Sequence, residues 1–153
     1  MINETIVRTA AEMRALGRGL ASRLRAGDLV VLTGALGAGK TTLAQGIGDG
    51  LGVRGGVTSP TFVIARVHPS LADGPALVHV DAYRLGNAAE VDDLDLDTDL
   101  DRAVTVIEWG GGLVERLAED RLEIRIGRPA GAAIDDETRT VRVTCTGQRW
   151  EDR

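Results

Sequence analysis

Apolar residues in this chain gather into short runs separated by polar, glycine-rich breaks. Leu29-Val30-Val31-Leu32 is continuous and reads as a buried strand, and the same signature returns at Ala76-Leu77-Val78-His79-Val80 and at Ala103-Val104-Thr105-Val106-Ile107. Phe62 to Val67 reads as a further strand. Near the N-terminus the period is helical: Thr9-Ala10-Ala11-Glu12 fits a capping box, Met13, Leu16, Leu20 and Leu24 recur at helical spacing, and Gly27 closes the predicted helix. A second helix is expected from Thr42 to about Leu51-Gly52, where Gly52, Gly55 and Gly56 break the pattern, and a helical stretch is expected around residues 88–94. Leu122–Ile126 and Thr138–Thr144 alternate, and the Gly- and Asp-rich turn 127–137 joins them as a hairpin. Strands interleaved with helices, ending in a strand pair, predict an α/β sandwich on a mostly parallel central sheet with antiparallel additions. No internal repeat or linker interrupts the pattern, so residues 1–153 are expected to form a single domain.

The link between the first buried strand and the second helix is Gly34-Ala35-Leu36-Gly37-Ala38-Gly39-Lys40-Thr41, a complete GxxxxGK[ST] phosphate-binding loop. Its glycines let the backbone turn so that successive N–H groups point at phosphate oxygens. Lys40 supplies a cation for the outer phosphates, Thr41 a hydroxyl for Mg²⁺, and the helix beginning at Thr42 a positive N-terminus. Ligands of open α/β sheets bind beyond the carboxyl ends of the strands. Asp81 and Glu108 each follow an apolar strand and fall on that rim, where a carboxylate serves either Mg²⁺ or an attacking water, or else caps a helix or turn; the phosphate loop favours the first reading.

Composition narrows the function. A hydrophobic fraction of 43% fits a globular core, and a net charge of −5 gives no overall electrostatic footprint for nucleic acid, so any RNA is expected to be held by a partner. Cys145 is the single cysteine and can form no internal disulfide, which suits a reducing compartment. The chain shows neither a signal peptide nor a run of about 18 apolar residues, and the expected location is cytoplasmic, with no membrane partner. Asp92, Asp93, Asp95, Asp97, Asp99 and Asp101 suggest a calcium loop at first sight. Counting from Asp95, however, Leu100 stands where Gly is needed and Val106 where Glu is needed, so the run reads as a solvated acidic surface. His79, two residues before Asp81, shares its strand face; with His68 the only other histidine, it reads as structural.

Taken together with the loop, Ser59-Pro60-Thr61-Phe62, His79-Val80-Asp81-Ala82-Tyr83-Arg84-Leu85 and Ile107-Glu108-Trp109 give the chain a close resemblance to the TsaE (YjeE) family. That family supplies the ATPase component of the bacterial machinery that makes N6-threonylcarbamoyladenosine at position 37 of tRNA. The resemblance implies a P-loop NTPase fold, a three-layer sandwich, with ATP and Mg²⁺ as cofactors. It implies that Leu36, Gly37, Ala38, Gly39, Lys40, Thr41 and Thr42 wrap the phosphates, and that Glu108 joins Thr41 at the metal while orienting the water. It further implies that Asp81 supports the metal, that Thr61 senses the γ-phosphate as a switch residue, and that Trp109 packs near the nucleotide. The base is expected near Thr9 and Ala10, because the family binds it by that helix start. The implied partners are TsaB and TsaD, with tRNA reached only through them. Ala35 departs from the family, which usually has an acidic residue there. Two rivals share the loop: a small-molecule kinase, for which no Arg-rich lid is evident, and a nucleotide-dependent binding switch, for which no NKxD guanine motif occurs.

Overall fold

The structure is a computed structural model that describes residues 2–34, 39–53, 65–71, 74–81, 102–108, 120–128 and 137–151. Among these residues the strands are β1 (Ile2–Val7), β2 (Leu29–Gly34), β3 (Ala65–His68), β4 (Ala76–Asp81), β5 (Ala103–Glu108), β6 (Arg121–Gly127) and β7 (Arg139–Thr146). They form one seven-stranded sheet in the order β1-β7-β6-β2-β5-β4-β3. The inner strands β6, β2, β5 and β4 are parallel. The additions are antiparallel, β7 and β1 on one side and β3 on the other. This is the mixed α/β sheet that the apolar runs predict, and β6 with β7 forms the expected antiparallel pair.

Both faces of β2, β4 and β5 are buried, which is why they read as continuous apolar runs, whereas β6 buries only Leu122, Ile124 and Ile126 and alternates. Val30, Leu32, Leu77, Val104, Val106, Leu122 and Ile124 share one cluster with Met13, Leu20, Leu43 and Ile47 from helices α1 (Ala10–Ala21) and α2 (Lys40–Leu51). On the alternate face, Leu29, Val31, Val78, Val80 and Ile107 are no more than 3% exposed. Each such side chain contributes about 1.5–3 kcal/mol by leaving water.

Local signals set the helix boundaries. Thr9 caps α1 by accepting the Glu12 N–H through Oγ1, while Glu12 reaches back to the Arg8 N–H, one residue earlier than a standard capping box. The helix stops at Ala21, earlier than the spacing of Leu24 and Gly27 suggests. Ser22 Oγ bonds back to the Gly19 carbonyl, and tight turns from Arg23 to Leu20 and from Leu24 to Ala21 carry Leu24 into the core without helix. Gly27 serves a different purpose: its φ is 95° and its N–H bonds the Ala103 carbonyl, steering the chain into β2. The end of α2 at Gly52 is as expected, with a left-handed φ of 69°. Strand β1 has no counterpart in the sequence reading. The predicted strand Phe62–Val67 is described from Ala65 and runs to His68, whereas residues 62–64, the helical stretch 88–94 and the acidic run 92–101 lie outside the described residues.

Helices α1 and α2 touch backbone to backbone. A Cβ on Gly46 would lie 2.2 Å from the Arg14 carbonyl oxygen, and one on Gly17 would lie 2.5 Å from the Leu43 carbonyl oxygen. Gly46→Ala is therefore expected to force the helices apart and cost about 1–3 kcal/mol, read as a lowered urea midpoint. An unchanged midpoint would mean the pair has slack that its geometry denies.

The opposite rim of the sheet is held by a clamp from the C-terminal helix α3 (Gln148–Glu151). Arg149 forks onto Asp28, Nε donating to Oδ1 at 3.1 Å and Nη2 to Oδ2 at 3.0 Å, and Nη2 also donates to the Arg23 carbonyl. Asp28 Oδ2 additionally accepts the Arg25 N–H at 2.8 Å. The guanidinium lies 4.4 Å from the centroid of the buried Trp150 ring, and the two charged side chains are only 6% and 5% exposed.

Candidate functional site

The carboxyl ends of β2, β4 and β5 converge where α2 begins. Register places Leu32 and Asp81 on either side of Glu108. Gly39, the N-cap of α2, has a φ of 112°, a conformation reserved largely for glycine, and a Cβ there would lie 3.1 Å from Met13 Cε. Helix α2 thus begins tight against α1.

Three side chains converge from this framework. Lys40, 5% exposed, donates from Nζ to the Gly34 carbonyl at 2.8 Å, so its ammonium lies folded back over the start of the loop. Thr41, one residue into α2, donates from Oγ1 to Glu108 Oε1 at 3.3 Å. Glu108, itself 5% exposed, lies with its second oxygen, Oε2, 2.5 Å from His79 Nε2. These contacts follow from alternation along the strands: His79 and Glu108 are on the face that α2 covers, together with Leu77 and Val106.

A cleft of about 130 Å³ opens beside this cluster. The first turn of α1 supplies Thr9, Ala10 and Met13, α2 supplies Gly39 and Thr42, and the entry to β7 supplies Glu137 and Arg139. The sequence reading pointed to Thr9 and Ala10 only; Glu137 and Arg139 join them because β1 pairs Val7 with Arg139.

The donor set suits a nucleotide phosphate with magnesium. A helix N-terminus and an ammonium attract the anion, and a hydroxyl beside a carboxylate matches an ion that takes few protein oxygens and keeps several waters. Among the described residues no three His, Cys, Asp or Glu side chains gather into a self-sufficient metal cage.

Of the sequence-predicted site residues, Gly39, Lys40, Thr41, Thr42 and Glu108 are brought together here. Asp81 is the backbone partner of Glu108 in the sheet. Leu36, Gly37, Ala38, Thr61 and Trp109 lie outside the described residues, as do Tyr83 and Arg84. His79 is fully buried, as a structural histidine would be, but its partner is the site carboxylate. The signal available in the sequence was its place two residues before Asp81 on one strand face; the pairing with β5 that delivers it to Glu108 is tertiary.

A sheet of this order with a GxxxxGKT turn between its central strand and the following helix defines a phosphate-loop α/β protein. Residues 7–137 match the family model described as threonylcarbamoyl adenosine biosynthesis protein TsaE, and the chain belongs to that family. A Streptomyces coelicolor relative named tRNA threonylcarbamoyladenosine biosynthesis protein TsaE is 67% identical over 139 residues, spanning 90% of this chain and 93% of the relative. A Bacillus subtilis relative of the same name is 39% identical over 142 residues, spanning 92% and 84%. The crystal structure of Bacillus subtilis YdiB superposes with a TM-score of 0.76 at 31% identity, covering 99% of this chain and 90% of that one. No described helix is long and apolar enough to cross a membrane.

Proposed function

We propose that this chain is the ATP-binding and ATP-hydrolysing subunit of tRNA threonylcarbamoyladenosine formation, acting in the cytoplasm with TsaB and TsaD. The observation that carries the hydrolysis reading is the convergence of Lys40, Thr41 and Glu108 at the start of α2, beside a cleft on the α1 side. Residues of the phosphate loop through Thr42 hold the phosphates. Lys40 swings from the Gly34 carbonyl to the outer phosphate oxygens, and Thr41 and Glu108, with Asp81 adjacent, form the metal side. Magnesium held there by Thr41 and Glu108 would neutralise the charge that develops on the phosphate oxygens. Glu108 orients the attacking water and draws on its proton. Thr61 and Trp109 complete the nucleotide's surroundings in this reading. The overall acidity of the chain supports leaving the tRNA to the partner complex.

The test is phosphate release from ATP and from GTP, by the chain alone and with TsaB and TsaD, alongside a pull-down with and without nucleotide. Stimulated hydrolysis of ATP over GTP and association with the complex are expected. Phosphate transfer to a nucleoside instead of water would favour the kinase alternative, and nucleotide-dependent association without turnover would favour the binding switch. Lys40→Ala is expected to weaken ATP binding and turnover together, because the ammonium contacts the anion in ground and transition states alike; calorimetry and the same assay check both halves.

A further inference from the structure

A glutamate at a strand end ordinarily rotates about its side-chain torsions, yet here both carboxylate oxygens are held. Thr41 holds Oε1, and the His79 ring meets Oε2 with Nε2 at 2.5 Å. His79 comes from the neighbouring strand: it is the register partner of Val106, while Asp81 is that of Glu108, so His79 and Glu108 are diagonal neighbours on one sheet face. Its exposure is zero, and among the described residues Nδ1 has no hydrogen-bond partner.

With Glu108 ionised, as its role toward water and metal requires, a bare ring nitrogen facing it at that distance would set lone pair against lone pair, so Nε2 carries hydrogen and donates it. A second proton on Nδ1 would be a buried, unpaired donor, which proteins avoid more strictly than an idle acceptor. The side chain is therefore the Nε2–H tautomer, with its one donor spent on Glu108.

We propose that His79 is a positioning residue for the hydrolytic site. Its Nε2–H pins Oε2, so that Oε1 stays directed at Thr41 and the phosphate loop, and it acts only through Glu108. The inference rests on the hydrolysis reading above. Hydrogen-bonded partners that orient a metal-site side chain typically govern affinity or activity by roughly 10–100-fold. A leucine would fill the same space without a donor, so volume alone does not call for histidine.

The test uses the full chain with TsaB and TsaD and three variants. His79→Leu removes the donor, His79→Asn places its amide short of Oε2, and His79→Gln restores a donor near the position of Nε2. His79→Leu is expected to lower kcat for ATP by roughly 10–100-fold with KM little changed, and to shrink the Mg²⁺-dependent gain in ADP affinity measured by calorimetry. His79→Gln should recover most of both. If His79→Leu does not fold, His79→Asn carries the same expectation. A donorless variant with wild-type kcat and wild-type Mg²⁺ gain, or a folded His79→Gln no better than it, overturns the proposal. So does a lowered Tm with kcat unaltered, the mark of a merely structural histidine. A nitrogen-15 histidine spectrum of the nucleotide-free chain gives a readout independent of turnover. Protonation at Nε2, with a signal that moves on Glu108→Gln, is expected; protonation at Nδ1 alone overturns the inference. Absent ATP turnover in the wild type would remove the hydrolysis reading, and the spectrum and the Mg²⁺ titration would still decide on His79.

Discussion

Glu108→Gln is expected to leave nucleotide affinity measured without Mg²⁺ close to wild type while lowering ATP turnover by roughly 10²–10⁴-fold, the range over which a positioned proton acceptor acts. The substitution preserves volume at a position that is only 5% exposed, and the amide oxygen can still accept from His79 or Thr41, so the strand end and the loop keep their packing. What disappears is the negative charge. Without it the site loses its pull on a divalent cation and its ability to draw a proton from water as the phosphoryl group departs, a loss felt more in the transition state than in binding. Calorimetry with ADP and ATP, together with a phosphate-release assay, separates the two effects. Hydrolysis at the wild-type rate would move the water-orienting role away from this residue.

Asp28→Ala should produce the largest loss of stability, about 3–5 kcal/mol, because it strands the Arg149 guanidinium in a nearly closed site. The substitution removes both arms of the fork and also the acceptor for the Arg25 N–H. Replacing both partners, as in Asp28→Ala with Arg149→Leu, should recover part of that loss, since no charge is then left buried without a counter-charge. Urea unfolding measures both variants. Nucleotide affinity of the folded single variant should be unchanged, because Asp28 precedes β2 whereas the phosphate loop follows it. A loss below about 1 kcal/mol would show that the guanidinium reaches water and the pair behaves as an exposed one.

How much of this was legible in the sequence varied with how locally each feature is determined. Strands β2, β4 and β5 announced themselves because burial on two faces leaves no polar alternation, and the eight-residue loop fixed the turn into α2. Glu108 could be picked out as a strand-end carboxylate. Strand β1 could not: Asn3, Glu4, Thr5 and Ile6 are all exposed, and the segment is extended because β7 offers it a hydrogen-bonding edge. The overrun of α1 had a similar origin, since Leu24 keeps helical spacing but reaches the core through a turn. The Asp28–Arg149 fork joins distant parts of the sequence, and the His79–Glu108 contact needs the β4–β5 register; neither leaves a local pattern to read.

The pairing of β1 with β7 also has a bearing on synthesis. The cleft beside the phosphate loop takes one wall from Thr9 and Ala10 and the other from Glu137 and Arg139, and among the described residues β1 is an edge strand paired with β7 alone. A nascent chain halted on the ribosome before residue 137 already carries the complete loop sequence, yet lacks the second wall and the strand that anchors the first. Long-range closure of this kind forms late, after loop entropy has been overcome. The two walls of the cleft therefore come together only once translation has run through β7, and unfinished chains carry the loop sequence without the assembled cleft.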